Sequence, residues 1–201
     1  MTRSLRSAPA SGHLRSCTRR LSARGDESAD IVSDGEYQAD AVTTRDWQGL
    51  VVAPELILDF LRTFSRFEFA LKAAGFADGD EQRVAPAWDR FGRVIAAQVD
   101  ALADAEFAAS ARYLLEKPPR KQVLKAGRLA WLDAPAAPGL SRAETVLLMV
   151  RRVRNNMFHG GKYLTDETAD TARDQHLIES GRIVLLRCVG MVREVKDAYE
   201  L

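Results

Sequence analysis

The spacing of the apolar residues after residue 50 constrains the fold of this chain more than any other feature. From residue 56 onward, apolar side chains recur every three or four positions, which is the repeat of one face of an α-helix. The residues on this stripe are Leu56, Phe60, Phe64, Phe67 and Leu71. Pro54 suits the first turn of such a helix and Gly75 suits its end, so we predict a helix between them.

The same repeat predicts further helices along the rest of the chain. Ser141 and Glu144 have the spacing of a capping box, which marks the start of one of them, and Gly160 and Gly161 are a suitable end. The other expected ranges are about 86–102, 105–116, a weaker helix over 120–132, and 170–199, either unbroken or broken near Gly181. Strand signals are almost absent, so we predict an all-α helical bundle with short connections.

The first 49 residues differ in composition from the rest of the chain. Residues 1–25 contain six arginines and no acidic residue, whereas residues 26–48 are polar and acidic. This composition predicts a poorly ordered N-terminal segment over 1–49, followed by a helical domain over 50–201. Three interpretations of residues 1–25 stay open: a disordered basic arm or a start codon placed too far upstream, an organellar transit peptide, and an arm that contacts RNA.

The charge and the cysteine content exclude several classes of protein. Without the six arginines of the tail, the chain carries 23 basic and 28 acidic residues, so it is not a protein that coats nucleic acid through its overall charge. No apolar run approaches the roughly 18 residues that a membrane-spanning helix needs. Two cysteines and three histidines fit neither a disulfide scaffold nor a multi-histidine metal centre. We therefore expect no membrane partner, no cofactor and no metal.

One segment, residues 151–163, has the composition of a chemical site. It reads R-R-V-R-N-N-M-F-H-G-G-K-Y, and residues 141–163 hold five basic residues against one acidic residue, which reverses the sign of the charge locally. A guanidinium such as that of Arg154 suits a phosphate group. An imidazole such as that of His159 exchanges a proton near neutral pH, and Asn155 can orient a ring or bind a ligand without changing the charge.

Helical geometry limits how these three side chains can meet. Asn155 and His159 are four positions apart and share a face, which lies roughly opposite the apolar stripe of the same helix. Arg154 lies about 140° around the axis from His159, so the two cannot stack directly on a straight helix. Three solutions are open: the arginine side chain wraps around the helix, the helix loosens at Gly160, or Arg154 meets the histidine of a second copy of the chain.

These residues resemble the signature of the HEPN family, helical-bundle proteins of which many are ribonucleases. Residues 154–159 read R-N-N-M-F-H, which matches the pattern R-N-x-x-x-H. Residues 64–68 read F-S-R-F-E and are similar to a helix of a stand-alone HEPN-like subgroup. The resemblance covers about residues 55–199. It implies a HEPN-like bundle that pairs around a two-fold axis and brings two R-x4-H motifs together.

The resemblance also implies an activity and a role for each residue. Active members of the family cut RNA without a metal and leave a 2′,3′-cyclic phosphate. His159 would act at the ribose 2′-hydroxyl or at the leaving oxygen, Arg154 would bind the scissile phosphate and stabilise its charge, and Asn155 would orient His159 or the substrate. The implied partners are RNA, a second copy and an antitoxin or other regulatory partner, for a toxin or defence effector in the cytoplasm.

Other residues near the motif have an additional or an alternative interpretation. Three of them are candidate substrate contacts or part of a solvated charged face: Arg151, Arg152 and Lys162. Glu68 is a candidate ion-pair partner of Arg154. The alternative function is a non-catalytic HEPN-like module that binds nucleotide or RNA or serves for dimerisation, in which His159 interacts with the carbonyls of a helix end. Trp88 and Trp131 are assigned to the core or an interface, and Cys188, which lies on an apolar stripe, is expected to be a buried and unreactive thiol.

Overall fold

The described part of the chain is mostly helical and also contains two small antiparallel sheets. The computed structural model describes residues 52–158 and 171–201. Its helices are α1 (Pro54–Ala73), α2 (Trp88–Val94), α3 (Ala96–Ala101), α4 (Ala105–Glu116), α5 (Arg142–Phe158), α6 (Thr171–Val189) and α7 (Arg193–Glu200). One hairpin pairs β1 (Ala77–Gly79) with β2 (Val84–Pro86), and the other pairs β3 (Lys121–Lys125) with β4 (Arg128–Leu132). The predictions on residues 1–49, His159 and Lys162 lie outside the described residues.

Helix α1 forms where the apolar stripe predicts it. Pro54 occupies its first turn, and its last carbonyls accept hydrogen bonds from the amides that follow, including a 2.8 Å bond from the Phe76 N–H to the Leu71 carbonyl. Four of the five stripe residues are buried: Phe60, Phe64, Phe67 and Leu71. Helices α6 and α7 pack against α1, so this stripe forms the centre of the core.

The predicted break near Gly181 is wrong, because α6 runs through Gly181 and ends at Val189. A Cβ atom on Gly181 would lie 3.0 Å from a ring carbon of Phe60. The absence of a side chain therefore lets α6 approach α1 closely, which explains the glycine without a break in the helix. The chain breaks instead after Val189, before α7 begins at Arg193.

An aromatic cluster joins α1 to α2. The rings of Phe67 and Trp88 stack with their centroids 5.3 Å apart, and Phe91 meets Phe67 edge-on at 5.5 Å. The single helix predicted over 86–102 is two helices, because the backbone turns at Ile95 between α2 and α3. The prediction for 105–116 is confirmed, since α4 has those bounds.

The helix predicted over residues 120–132 is wrong, because these residues form the β3–β4 hairpin. The two strands pair from Lys121 with Leu132 to Lys125 with Arg128. Ala126 and Gly127 connect them with φ of 49° and 76°, the left-handed conformation of a two-residue hairpin turn. Trp131, which was assigned to the core or an interface, lies exposed on this hairpin, whereas Trp88 is buried as expected.

The capping box at the start of α5 is confirmed. The Glu144 N–H donates to the Ser141 Oγ at 3.2 Å, and the Ser141 N–H donates to Glu144 Oε2 at 3.0 Å. The hydrogen bonds that the Ser141 N–H and hydroxyl donate to Glu144 Oε2, together with Arg93, hold the pKa of the Glu144 carboxyl below its ordinary value. The apolar face of the helix is buried as predicted at Val146, Val150 and Val153, and this fixes which side of α5 faces outward.

Two further properties concern the core and the helices. Among the residues that the structure describes, no helix combines the length and the apolar character needed to cross a membrane. Cys188 is buried in α6, and burial raises the pKa of its thiol to about 12. A thiol in this environment is unreactive, which agrees with the expectation for Cys188.

Helices α4 and α6 are joined by a charged cluster on one carboxylate. Asp104 caps α4 by accepting a 2.7 Å hydrogen bond from the Phe107 N–H, and its other oxygen accepts from Arg187 Nε at 2.7 Å. Arg187 also donates to Glu106 at 2.7 Å. The backbone bond from Phe107 and the contact with Arg187 lower the pKa of Asp104, so its charged form stabilises the folded state.

We expect this cluster to make stability depend on pH in the acid range. Since the pKa of Asp104 is lowered by folding, its contribution is complete above the ordinary aspartate pKa of about 3.9 and is lost as the pH falls through the lower folded-state pKa. Asp104→Asn keeps an acceptor for the cap and removes the charge. Urea unfolding should therefore give a lower free energy of unfolding for Asp104→Asn than for wild type at neutral pH, and this difference should disappear in acid. Asp197→Asn, on an exposed pair with Arg193, is the control, and a difference that does not change with pH would contradict the assignment.

Candidate functional site

Arg154 lies in the last turns of α5 and faces α1. Its Nη2 atom is 3.8 Å from Glu68 Oε2, and Glu68 Oε1 accepts a 3.3 Å hydrogen bond from Trp88 Nε1. The ion pair suggested by the sequence is thus present in the structure. Trp88 holds the carboxylate from the other side, so Glu68 connects Arg154 to the aromatic cluster of α1 and α2.

Two aromatic rings flank the guanidinium of Arg154. Its Cζ atom lies 5.2 Å from the ring centroid of Phe64 and 4.8 Å from that of Phe158, distances at which a cation is attracted to a ring face. The Arg154 side chain is 34% exposed and that of Glu68 is 24% exposed. The rings and the carboxylate therefore orient a guanidinium that solvent, or a ligand, can still reach.

Asn155 lies on the outward face of α5, as the helical geometry predicted. Its side chain is exposed, and its Oδ1 atom accepts a 3.0 Å hydrogen bond from Arg154 Nη1. The two residues thus form one polar group at the end of the helix. His159 follows Phe158 directly in the sequence but lies outside the described residues, so its approach to Arg154 stays a prediction.

The structure places the neighbouring arginines on two different sides of α5. Arg151 Nη1 lies 3.4 Å from Asp89 Oδ1, and its guanidinium is 5.9 Å from the ring centroid of Trp88. Arg152 donates a hydrogen bond to the carbonyl of Ala134, and burial lowers the pKa of its guanidinium. Because Arg152 and Arg154 are about 200° apart around the helix, Arg152 does not join the group around Arg154.

Sequence reasoning missed two contributors to this site. Phe158 was not assigned a role, although it is four positions after Arg154, a spacing that brings two side chains together on a helix. That spacing was a usable signal. Trp88 was assigned only to the core, and no local pattern shows that its indole N–H reaches Glu68, since the two residues lie on different helices.

The charge around the site is partly compensated. Arg154 faces Glu68 and Arg151 faces Asp89, so both cations that point toward α1 and α2 have an acidic neighbour. In the described part of the chain, no group of three or more His, Cys, Asp or Glu residues is placed to hold a metal ion. The chemistry available in the described part of the site is the binding and orientation of an anion by a guanidinium.

The comparisons with known proteins do not identify the chain. No protein-family model, no curated protein and no solved structure shows significant similarity to it. The HEPN resemblance therefore rests on the two segments that carry it, residues 64–68 and 154–159. Both segments contribute to one place in the structure, because Phe64 and Glu68 of the first contact Arg154 of the second.

We predict that Arg154 and Glu68 are coupled energetically. A double-mutant cycle with Arg154→Ala and Glu68→Ala, measured by urea unfolding, should yield a coupling of about 0.5–1 kcal/mol, because both side chains are partly shielded from solvent. The control is the cycle of Arg193→Ala and Asp197→Ala, an exposed pair within α7, for which less coupling is expected. A coupling energy between Arg154 and Glu68 that is zero, or no larger than that of the control cycle, would contradict a role for Glu68 in orienting Arg154.

Proposed function

We propose that this chain is a metal-independent endoribonuclease of the HEPN-like type, whose active site forms where two copies of the chain meet. The observation that carries the proposal is the orientation of the Arg154 guanidinium by Glu68 and by two aromatic rings. Arg154 precedes His159 by five positions in the sequence. An oriented guanidinium suits a phosphodiester because its planar donors match the phosphate oxygens. The proposed location is the cytoplasm.

The proposed reaction is an internal transfer within RNA. The 2′-hydroxyl oxygen attacks the adjacent phosphorus, and the bond from phosphorus to the 5′-oxygen of the next nucleotide breaks. His159 takes the proton from the 2′-hydroxyl or supplies one to the leaving 5′-oxygen, and water carries the other transfer, so that the proton lost at the 2′-oxygen is regained at the 5′-oxygen. Arg154 stabilises the charge that develops on the phosphate oxygens. The products are a 2′,3′-cyclic phosphate end and a 5′-hydroxyl end, and the balance needs no oxidant, reductant or metal.

The residues around Arg154 have supporting roles in this proposal. Glu68 and the rings of Phe64 and Phe158 keep the guanidinium in one orientation, which lowers the entropic cost of binding a phosphate. Asn155, bonded to Arg154, orients the substrate or His159. Since ideal helical spacing separates positions 154 and 159 by about 140°, a two-fold pair of helices lets the arginine of one copy act beside the histidine of the other.

The biological role is proposed from the family alone. A toxin or defence effector, held inactive by an antitoxin or other regulatory partner, is what the resemblance implies, and fold-level analogy is its only support.

The alternative is a non-catalytic module that binds nucleotide or RNA or serves for dimerisation. The contact of Arg154 with Glu68 favours it, because a carboxylate that neutralises the guanidinium competes with a phosphate. In addition, the Nε atom of Arg154 is buried with no hydrogen-bond partner among the described residues, so this donor is shielded from a phosphate in solution. Both functions use the same fold and differ in whether Arg154 and His159 are needed for cleavage.

We predict that the purified chain cleaves single-stranded RNA in the presence of EDTA. His159→Ala and Arg154→Ala should each lower the cleavage rate about hundredfold to thousandfold, because each removes a group that acts on the transition state. Gel analysis of labelled RNA measures the rate, and end-group analysis should find the 2′,3′-cyclic phosphate.

Two matched variants control for changes in folding and charge. His176→Ala removes an exposed histidine beside Tyr113, and Arg66→Ala removes an arginine that also lies over an aromatic ring, that of Tyr199. Both should retain cleavage. If His159→Ala and Arg154→Ala cut as fast as wild type, the nuclease assignment is wrong. Binding of RNA without cleavage by the wild type would favour the alternative.

We also predict that the two defective variants complement each other. A mixed dimer of His159→Ala and Arg154→Ala chains contains one site with both groups intact when the groups come from different copies. Mixing the inactive proteins should then restore about a quarter of the wild-type rate, from random pairing with one intact site in each mixed dimer. No recovery, with subunit exchange verified by a tagged chain, would place both groups in the same copy.

A further inference from the structure

The β3–β4 hairpin has a composition unlike the rest of the described chain. Residues 117–132 contain five basic residues, no acidic residue and one tryptophan. Arg120, just before β3, pairs with Asp133 just after β4. Lys121, Lys125 and Arg128 are exposed and have no acidic partner among the described residues. The hairpin is therefore a locally cationic surface.

The strand register sorts these residues onto two faces. Lys121, Lys125 and Arg128 fall on one face, and Leu124, Leu129 and Trp131 fall on the other. On the second face, Leu124 is 73%, Leu129 is 75% and Trp131 is 42% exposed. The cationic face also carries the exposed Leu132, which pairs with Lys121. A two-stranded ribbon therefore offers a phosphate-binding face and a stacking face to a strand that wraps around its edge.

Lys125 and Arg128 face each other directly across the two strands. Like charges in that position destabilise a hairpin. An anion bound near the turn relieves the repulsion, so the pair itself favours an anionic ligand.

Both ends of the hairpin are attached to α5, on the side of the helix away from Arg154. The Asn156 side chain donates to the Arg120 carbonyl at 2.9 Å, and Arg152 donates to the Ala134 carbonyl. Asn156 and Arg152 are one helical turn apart and share a side of α5, whereas Arg154 lies about 200° from each of them. The outward ridge of α5, which carries Asn155, separates the hairpin from Arg154.

We propose that the β3–β4 hairpin binds single-stranded RNA and directs it across the outward ridge of α5 to Arg154, an inference that rests on the proposed function. Phosphates contact Lys121, Lys125 and Arg128 on one face, and the strand passes around the edge of the two-stranded ribbon so that an unstacked base lies on Trp131 on the other face. A helix is about 10 Å wide, a distance that a few nucleotides span. Binding in this way selects single-stranded RNA over duplex as the substrate of the site.

Two other occupants fit the hairpin less well. A membrane would have to accept Lys125 and Arg128 at the tip of the ribbon, where insertion buries two charges. A second copy that paired hairpin to hairpin around a two-fold axis would bring the same unpaired cations together. An extended polyanion with exposed bases matches both the charge and the apolar face.

The test measures binding separately from cleavage. All variants carry His159→Ala, which prevents turnover, and a fluorescein-labelled oligouridine is titrated by fluorescence anisotropy over a range of KCl concentrations. One variant removes the hairpin charges with Lys121→Ala, Lys125→Ala and Arg128→Ala. Its matched control removes three charges from α1 and α7 with Arg62→Ala, Arg193→Ala and Lys196→Ala. Trp131→Ala and Trp131→Phe test stacking.

The expected results are specific to each variant. For the triple hairpin variant, the negative slope of log affinity against log salt should become shallower by about 2, since each single-strand phosphate contact contributes roughly −0.7 to the slope. Trp131→Ala should weaken binding about five- to hundredfold, the range for loss of one stacked base, and Trp131→Phe should retain most of the affinity. The control should bind as the parent chain does. A duplex of the same length should bind more weakly than the single strand.

Four results would overturn the proposal. In the first, the hairpin variants bind RNA as tightly as the parent chain; in the second, the control variant loses as much affinity as they do. In the third, duplex binds more tightly than the single strand; in the fourth, the hairpin variants change only the sedimentation mass or the binding to phosphatidylserine vesicles.

The outcome is separable from the proposed function. If binding depends on the hairpin but the chain with His159 intact never cleaves, the nuclease fails and the hairpin assignment stands. If cleavage occurs and is unaffected by the hairpin variants, only the hairpin assignment fails.

Discussion

The fold and the candidate site both depend on the burial of the aromatic side chains that join α1 to α2. The ring of Trp88 contacts both Phe64 and Phe67, with centroid distances of 5.3 Å to each. Each buried aromatic side chain stabilises the fold by roughly 2–3 kcal/mol. The same three rings set where Glu68 and Arg154 lie, because Trp88 donates to Glu68 and the ring of Phe64 lies beneath Arg154. The core is thus also the support of the site.

This arrangement explains how a chain with little net charge can present a localised cation. Arg154 is partly shielded, flanked by rings and paired with one carboxylate, so its orientation is set by packing rather than by long-range charge. The hairpin has the opposite character, since its three exposed cations have no acidic partner among the described residues. The two surfaces are on opposite sides of α5, and the helix is the element that relates them.

The sequence-based predictions that were confirmed concern elements whose buried residues or capping residues recur at helical spacing. The stripe of α1, the bounds of α4 and the capping box of α5 were all predicted, because each is written in local spacing. Residues 120–132 were misassigned because most of their side chains are exposed in the hairpin. No buried face imposes a two-residue repeat there, and the turn at Ala126 and Gly127 was the one local signal. A break near Gly181 was one of two alternatives for residues 170–199, because a glycine that leaves room for Phe60 cannot be told in sequence from a glycine that ends a helix.

The sequence by itself determined a mostly helical domain, the outward position of Asn155 and the motif that suggests phosphate chemistry, since all three follow from the helical repeat and from residue chemistry. Only the tertiary structure decided that Trp88 holds Glu68, that the ring of Phe64 lies beside Arg154, and that Arg152 and Asn156 attach a cationic hairpin to the far side of α5. These contacts join residues 18 to 90 positions apart in the chain. Local spacing carries no information about such pairs, because they form only when separate helices pack against a shared core.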